Sequence, residues 1–255
     1  MNNKILPTHA GTIPLYFQQP SGASRGTVVV LHPAHGITPE IHGWLATLAA
    51  EGYLALAPVL HYRRGTEIID PMSEFDGDLS RFSASLPTDE QFLEDFGSLL
   101  ESLDVDFGVS PDEVSVVGFS YGGRAAYLAA SRFPISSAVS WYPVGIHLKN
   151  FDGNSGLPAL DLDKQTPAVP WLGLVGTEDT LYAPDELVSW QQAIDDLGNR
   201  HVELISYPGA GHAFDNKEGP FPGAPSPYNA SAFEDAWRRT RTHLAAHHSS
   251  EELQP

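Results

Sequence analysis

The chain has 255 residues, 42% of them hydrophobic, and its 32 acidic and 14 basic residues give a formal net charge of −18. That charge would repel a nucleic-acid backbone or an anionic membrane surface, so no nucleic acid or membrane partner is expected and a small neutral molecule is favoured. Cysteine is absent, which excludes disulfides, thiolate metal sites and a cysteine nucleophile.

The first residues, Met1–Thr8, contain no apolar run of signal-peptide length, and no window of the sequence is long enough to span a bilayer. A cytoplasmic location is therefore expected. The length fits a single domain over residues 1–255, and we expect a monomer or a homodimer.

The first half of the chain alternates strand and helix signals. The continuous β-branched run 26–32 is typical of a strand that is buried on both faces, and it ends in a loop at 33–36. Apolar residues at helical spacing then follow an N-cap and a proline over 38–49, and 53–58 predicts the next strand. A loop at the carboxyl end of such a strand is a common ligand site in open α/β sheets.

Two long segments show no clear periodicity. Residues 66–87 and 144–169 are predicted as long loops, each either a lid over a site or a surface excursion. A helix is predicted over 90–103, where apolar residues recur at helical spacing after acidic residues. The tail 247–255 is expected to be frayed.

The hexapeptide Gly118–Gly123, with the sequence GFSYGG, carries the clearest functional signal. A β-branched run at 113–117 precedes it and an Ala-rich run at 124–130 follows it, which predicts strand, tight turn and helix. A nucleophile on such a turn needs neighbours without a Cβ atom, because strand and helix approach closely there. We interpret Ser120 as that nucleophile, whereas the bare motif alone would also fit a structural turn.

The last third of the chain continues the alternation. Strands are predicted at 137–143, 171–176 and 202–207, and helices at 184–197 and 229–246. Strand and helix trade places throughout, so we predict an α/β fold with a mostly parallel central sheet and helices on both faces.

A serine hydroxyl needs a base within hydrogen-bond reach and a third group that orients the base. Asp179 and His212 follow predicted strands and should lie at the same edge of the sheet as the serine. Glu178 is the alternative to Asp179, which we favour because the acid usually lies at the turn into the next segment. His212 is favoured over His147 by its flexible lead-in, residues 209–211, and the other histidines precede the serine or lie in a predicted strand or helix.

An oxyanion needs two N–H donors. The backbone of Tyr121 would supply one, and the loop at 33–36 the other, with Ala34 as first choice and His35 as the alternative. A metal site that uses His32 and His35 is disfavoured, because a proline between them breaks helical spacing and no carboxylate follows at a useful interval. We expect neither metal nor cofactor.

Three stretches together resemble the dienelactone hydrolase family of the α/β-hydrolases: Gly118–Gly123, Asp179 and Gly209–Phe214. The run 57–63 is also similar to that family, and the resemblance extends from about residue 10 to residue 245. It implies an α/β-hydrolase fold, no cofactor, and hydrolysis of esters or lactones through a covalent acyl-enzyme.

Three positions depart from the family pattern. Dienelactone hydrolases proper have a cysteine nucleophile where this chain has Ser120, and the glutamate that tunes that thiol aligns with Pro33. Members that act on carboxylate-bearing lactones place an arginine four residues after the histidine, where this chain has Asn216. The departures disfavour a chlorocatechol-type dienelactone as substrate and favour a serine-type carboxylesterase.

The residues expected to line the substrate pocket lie beside the triad residues or near predicted strand ends: His35, Tyr62, Arg63, Tyr121, Trp141, Tyr142 and Phe214. Two other functions stay open. An acyltransferase or cyclase could use the same triad under a lid that excludes water, and a non-catalytic binding protein could have kept the fold without the chemistry.

Overall fold

The computed structural model describes residues 2–147, 160, 165–183, 185–218 and 227–248. Most of the long loop predicted over 144–169 lies outside these residues. Of the predicted tail, His247 ends the last helix and His248 follows it, and the rest also lies outside them.

The described strands form one eight-stranded sheet in the order β1-β2-β4-β3-β5-β6-β7-β8. The pairs β1–β2 and β2–β4 are antiparallel and the remaining five are parallel, which confirms the predicted mostly parallel sheet. The strand bounds are β1 (Asn2–Thr8), β2 (Gly11–Gln18), β3 (Thr27–Leu31), β4 (Leu54–Pro58), β5 (Val114–Phe119), β6 (Ser137–Trp141), β7 (Trp171–Gly176) and β8 (Val202–Tyr207).

Helices cover both faces of the sheet. Their bounds are α1 (Pro39–Ala50), α2 (Pro71–Phe75), α3 (Leu79–Ala84), α4 (Asp89–Phe107), α5 (Tyr121–Arg132), α6 (Glu186–Leu197) and α7 (Ala230–His247). Buried side chains of α1 and α7 form one hydrophobic core, and those of α2 to α6 form the other. No helix among the described residues has the length and apolar character needed to cross a bilayer.

The central strand β3 shows why its sequence is apolar without interruption. Val28 and Val30 belong to the core under α1 and α7, whereas Val29 and Leu31 belong to the core on the other face. All four side chains have no exposed surface. A parallel strand that is covered on both faces cannot alternate polar and apolar residues.

Residues 66–87 contain the short helices α2 and α3 rather than an irregular loop. The segment is attached to the loop after β3: the N–H of Ile37 donates to the carbonyl of Glu67, and the N–H of Ile69 donates to the carbonyl of His35, both at 2.9 Å. Phe75 and Phe82 are buried in the core. The segment therefore packs against the loop on which the second oxyanion donor was predicted.

Candidate active site

Ser120 lies at the turn between β5 and α5, in a backbone conformation that is rare for a residue with a side chain. Its φ is 54° and its ψ is −114°, and strain of this kind is typical of functional sites. A Cβ atom on Gly118 would lie 1.9 Å from the carbonyl oxygen of Gly122. Helix and strand thus approach so closely that only glycine fits, as expected for a serine held on a sharp turn.

The structure brings Ser120, His212 and Asp179 together in one hydrogen-bonded chain. Nε2 of His212 is 2.9 Å from Oγ of Ser120, and Nδ1 of His212 is 2.7 Å from Oδ2 of Asp179. Because a carboxylate only accepts hydrogen bonds, Nδ1 carries the proton and Nε2 is the acceptor for the serine hydroxyl. The arrangement is that of a serine nucleophile with an oriented base.

Asp179 and Glu178 differ sharply in their surroundings. The Asp179 side chain has 0% exposure, and its Oδ1 accepts a hydrogen bond from the N–H of Leu181 at 2.9 Å. Glu178 is exposed to solvent. The turn after β7 therefore presents Asp179, and not its neighbour, to His212.

The two predicted oxyanion donors, the N–H groups of Tyr121 and Ala34, belong to residues near Ser120. Tyr121 is the first residue of α5, so its N–H has no acceptor within the helix. Ala34 lines the same cavity as Ser120, and it follows Pro33 in a turn closed by a 2.9 Å hydrogen bond from the N–H of Gly36 to the carbonyl of Pro33. The placement is compatible with both donors.

Two buried histidines, His32 and His61, hold the loop that carries Ala34. Nε2 of His32 accepts a hydrogen bond from the N–H of Leu60 at 2.9 Å, so its Nδ1 carries the proton and donates to the carbonyl of Pro33 at 2.7 Å. Nε2 of His61 donates to the carbonyl of Ala34 at 2.9 Å. Burial lowers the pKa of His32 to about 3 and the pKa of His61 to about 4.

We expect the protein to lose stability as the pH falls from about 6.5 towards about 4, because burial keeps His32 and His61 neutral in the folded chain. Their folded pKa values lie below the usual value near 6.5, so the unfolded chain binds more protons in this window. The free energy of unfolding therefore decreases as the pH falls, with a slope of about 1.4 kcal/mol per pH unit for each histidine.

Urea unfolding of the wild type and of His61→Gln across this range checks the expectation. Glutamine keeps an amide donor for the Ala34 carbonyl but does not titrate, so the variant should show the smaller pH slope. Equal slopes would mean that His61 is not held neutral in the folded protein.

The cavity beside Ser120, which we call the inner pocket, has a volume of about 150 Å³. His35, one of the predicted pocket residues, lines it, and the His35 ring stacks on Phe82 at 5.7 Å. Tyr142, also predicted, lines it as well. The prediction missed residues from α1 and from the loop after the histidine: Glu40, Trp44 and Asp215. Asp215 follows His212 by three residues in the same loop, and this proximity is the signal that could have identified it.

The structure does not bring Tyr62 and Arg63 to the inner pocket. The Tyr62 hydroxyl donates to Asp95 at 2.7 Å, and the Arg63 guanidinium donates to both Asp95 oxygens at 2.7 and 3.1 Å. Asp95 belongs to α4 and is not among the residues that line the inner pocket. Both side chains thus connect the segment after β4 to α4, which corrects their prediction as pocket residues.

Trp141 and Phe214 are also corrected. Each has 0% exposure, and their rings stack on each other at 5.5 Å within the core under α1 and α7. Each is next to a residue that does line the inner pocket, namely Tyr142 and Asp215. In each pair the polar residue lines the pocket and its apolar neighbour lies in the core.

A protein-family model described as the dienelactone hydrolase family matches residues 13–248. An Escherichia coli protein named as a candidate carboxymethylenebutenolidase is 31% identical, over 92% of this chain and 82% of its own length. A Bradyrhizobium protein named as a candidate 2-oxo-3-(5-oxofuran-2-ylidene)propanoate lactonase is 28% identical, over 91% of this chain and 88% of its own length.

A solved structure of a candidate dienelactone hydrolase from Klebsiella pneumoniae superposes with a TM-score of 0.75 at 25% identity. The match covers 96% of this chain and 97% of that chain. The family model covers more than nine-tenths of the chain, and the relatives match it over nearly its whole length. The chain therefore belongs to the dienelactone hydrolase family.

Proposed function

We propose that the protein hydrolyses carboxylic esters or lactones through an acyl-enzyme on Ser120. Membership of the dienelactone hydrolase family makes the chain a carboxylic-ester hydrolase. The observation that carries the serine mechanism is the chain of two short hydrogen bonds from Ser120 through His212 to Asp179, at 2.9 and 2.7 Å.

In the first half-reaction the Ser120 oxygen forms a bond to the carbonyl carbon while Nε2 of His212 takes the hydroxyl proton. The Asp179 carboxylate holds the imidazole in the tautomer that accepts this proton and stabilises the imidazolium that results. The tetrahedral intermediate then collapses, the bond to the leaving oxygen breaks, and His212 gives the proton to that oxygen.

The negative charge of the intermediate falls on the former carbonyl oxygen. The N–H groups of Tyr121 and Ala34 are the proposed donors to it, and one such donor is worth about 3 kcal/mol of barrier. His32 and His61 act through this loop, since they fix the carbonyls of Pro33 and Ala34 and so fix the direction of the Ala34 N–H. They are positioning residues.

In the second half-reaction water takes the place of the alcohol. His212 removes a proton from water as it attacks the acyl-enzyme, and it returns the proton to Ser120 when the acid leaves. The same steps open a lactone, with the difference that the leaving oxygen becomes a hydroxyl group of the acyl chain itself, so water releases a single hydroxy acid.

The test is covalent labelling by a fluorophosphonate probe, with the labelled residue mapped by mass spectrometry. We expect modification of Ser120 in folded protein and hydrolysis of short p-nitrophenyl esters that the probe abolishes. Free acid as the sole product in the presence of an added alcohol would distinguish hydrolysis from acyl transfer. A folded protein that neither labels at Ser120 nor hydrolyses any ester would contradict the proposal.

A further inference from the structure

The inner pocket adjoins a second cavity, here called the outer groove, whose volume is about 360 Å³. Four residues line both cavities: Glu40, Trp44, Asp215 and Asn216. A substrate with its carbonyl at Ser120 would therefore extend past these residues into the outer groove. Two of the four are carboxylates.

The charges around the inner pocket have one sign. Its described lining residues include Glu40 and Asp215 but no lysine or arginine. Burial lowers the pKa of His35 and so disfavours its positively charged form. The outer groove adds Glu218 and Lys217, and the Lys217 ammonium lies 5.0 Å from the centre of the Tyr228 ring. These two added charges have opposite signs, so the negative charge of both cavities comes from Glu40 and Asp215.

The Asp215 carboxylate is held in a fixed position. Its Oδ1 accepts a hydrogen bond from the Tyr142 hydroxyl at 2.6 Å, and its Oδ2 accepts one from Nε1 of Trp44 at 3.3 Å. The Tyr142 ring in turn contacts the His212 ring, with ring centres 4.9 Å apart. Tyr142 therefore contacts both the Asp215 carboxylate and His212, the proposed catalytic base.

Burial removes water from the Asp215 carboxylate and so raises its pKa. A cationic group of a substrate would compensate this lost solvation, whereas a carboxylate would add repulsion in a site where screening by water is weak. The aromatic side chains of Trp44, Phe233 and Trp237 along the outer groove suit an alkylammonium group in addition.

On the basis of the serine hydrolase function proposed above, we propose that Glu40 and Asp215 select substrates by charge. Esters that carry an ammonium group are the preferred class, uncharged esters of the same shape follow, and esters with a carboxylate in the same place are disfavoured. The selection acts on the part of the substrate that extends from Ser120 into the outer groove.

The test uses three p-nitrophenyl esters with acyl chains of similar length: the trimethylammonio-butyrate, its uncharged tert-butyl isostere, and the glutarate half-ester. All three release the same phenolate, and the first two share one shape, so the ratio of their kcat/KM values reports the charge. We expect the cationic ester to exceed its uncharged isostere by about tenfold, and the anionic ester to fall below it by a similar factor. A matched set of choline esters places the charge in the alcohol part.

Three variants locate the effect. Asp215→Asn and Glu40→Gln should each reduce the ratio of cationic to uncharged kcat/KM by about threefold, and the double variant should bring it close to one. Glu101→Gln is the control, because it removes one negative charge from the exposed face of α4 and leaves the pocket unchanged. It should keep the wild-type ratio.

Several outcomes would overturn the proposal. Equal turnover of the three esters by the wild type would remove charge selection, and an equal loss in Glu101→Gln would assign it to the net charge of the whole protein. A loss of the same size for all three esters in Asp215→Asn would mean that this carboxylate stabilises the His212 imidazolium and does not select substrates. Failure of the underlying hydrolase function is distinguishable, since the uncharged ester would then not be hydrolysed either.

Discussion

Ser120→Ala is expected to lower kcat/KM for ester hydrolysis by about a millionfold while the protein stays folded. The alanine methyl group fits where the serine Cβ atom already lies, so the strained turn is kept and only the nucleophile is lost. Far-ultraviolet circular dichroism and thermal unfolding check the fold, and steady-state kinetics with p-nitrophenyl esters measure the loss of kcat/KM. Unchanged turnover would show that another group attacks the ester.

Asp179→Asn should lower kcat/KM by about ten-thousandfold, a smaller loss than in the serine variant. Asparagine still contacts Nδ1 of His212, but it favours the wrong tautomer of the imidazole. Glu178→Gln is the matched control, since it removes the neighbouring, solvent-exposed carboxylate by the same isosteric change. Its activity should stay within about twofold of the wild type. The reverse result would move the orienting acid to Glu178.

The double variant Ser120→Ala, His212→Ala adds a further check. Because the base has no function without the nucleophile, the second change should lower the activity little below that of Ser120→Ala alone. Independent, multiplying losses would mean that His212 has a role that does not pass through Ser120. If the losses do not multiply, as expected, the residual rate reports catalysis by the oxyanion donors and by binding alone.

The sheet and the triad residues could be predicted because their signals are local. A strand that is buried on both faces needs an unbroken apolar run, as in β3, and the sharp turn at Ser120 needs glycines at fixed positions. Chain order and sheet topology then place Asp179 and His212 at the same edge. None of these steps depends on knowing which residues meet across the fold.

The predictions that the structure corrects concern residues whose positions depend on contacts between distant parts of the chain. Tyr62 and Arg63 meet Asp95, which is more than thirty positions away in sequence, and nothing local indicates that pairing. The helices α2 and α3 have five and six residues, too few for a hydrophobic period to be visible, although aspartates at 70 and 78 cap them. Trp141 and Phe214 lie in the core, whereas the next residue in each case lines the inner pocket. An error of one position therefore exchanges a pocket residue for a core residue.

The second large effect concerns stability, and its cause is the close approach of α5 to the end of β3. A Cβ atom on Gly122 would lie 2.1 Å from the carbonyl oxygen of Leu31 and 2.6 Å from that of His32. Both contacts are with backbone, which cannot rotate away as a flexible side chain could. The helix would have to move away from the strand.

Gly122→Ala should therefore destabilise the protein by about 4 kcal/mol and lower the melting temperature by about 10 °C. Gly43→Ala is the control within α1, where a Cβ atom would meet no atom within 4 Å. Because alanine is the better helix former at an unobstructed site, this variant should gain about 0.5 to 1 kcal/mol. Thermal and urea unfolding should show a lower free energy of unfolding for Gly122→Ala and a higher one for Gly43→Ala.

The same displacement should also reduce catalysis, because the backbone that Gly122 contacts leads directly into the loop that carries Ala34. A shift of α5 away from β3 separates the two N–H donors that we assign to the oxyanion. In the folded fraction of Gly122→Ala we therefore expect a larger fold-decrease in kcat than fold-increase in KM. A variant with wild-type melting temperature and wild-type kcat would show that helix and strand have room to separate. The absence of a side chain at position 122 would then have no structural reason in this contact.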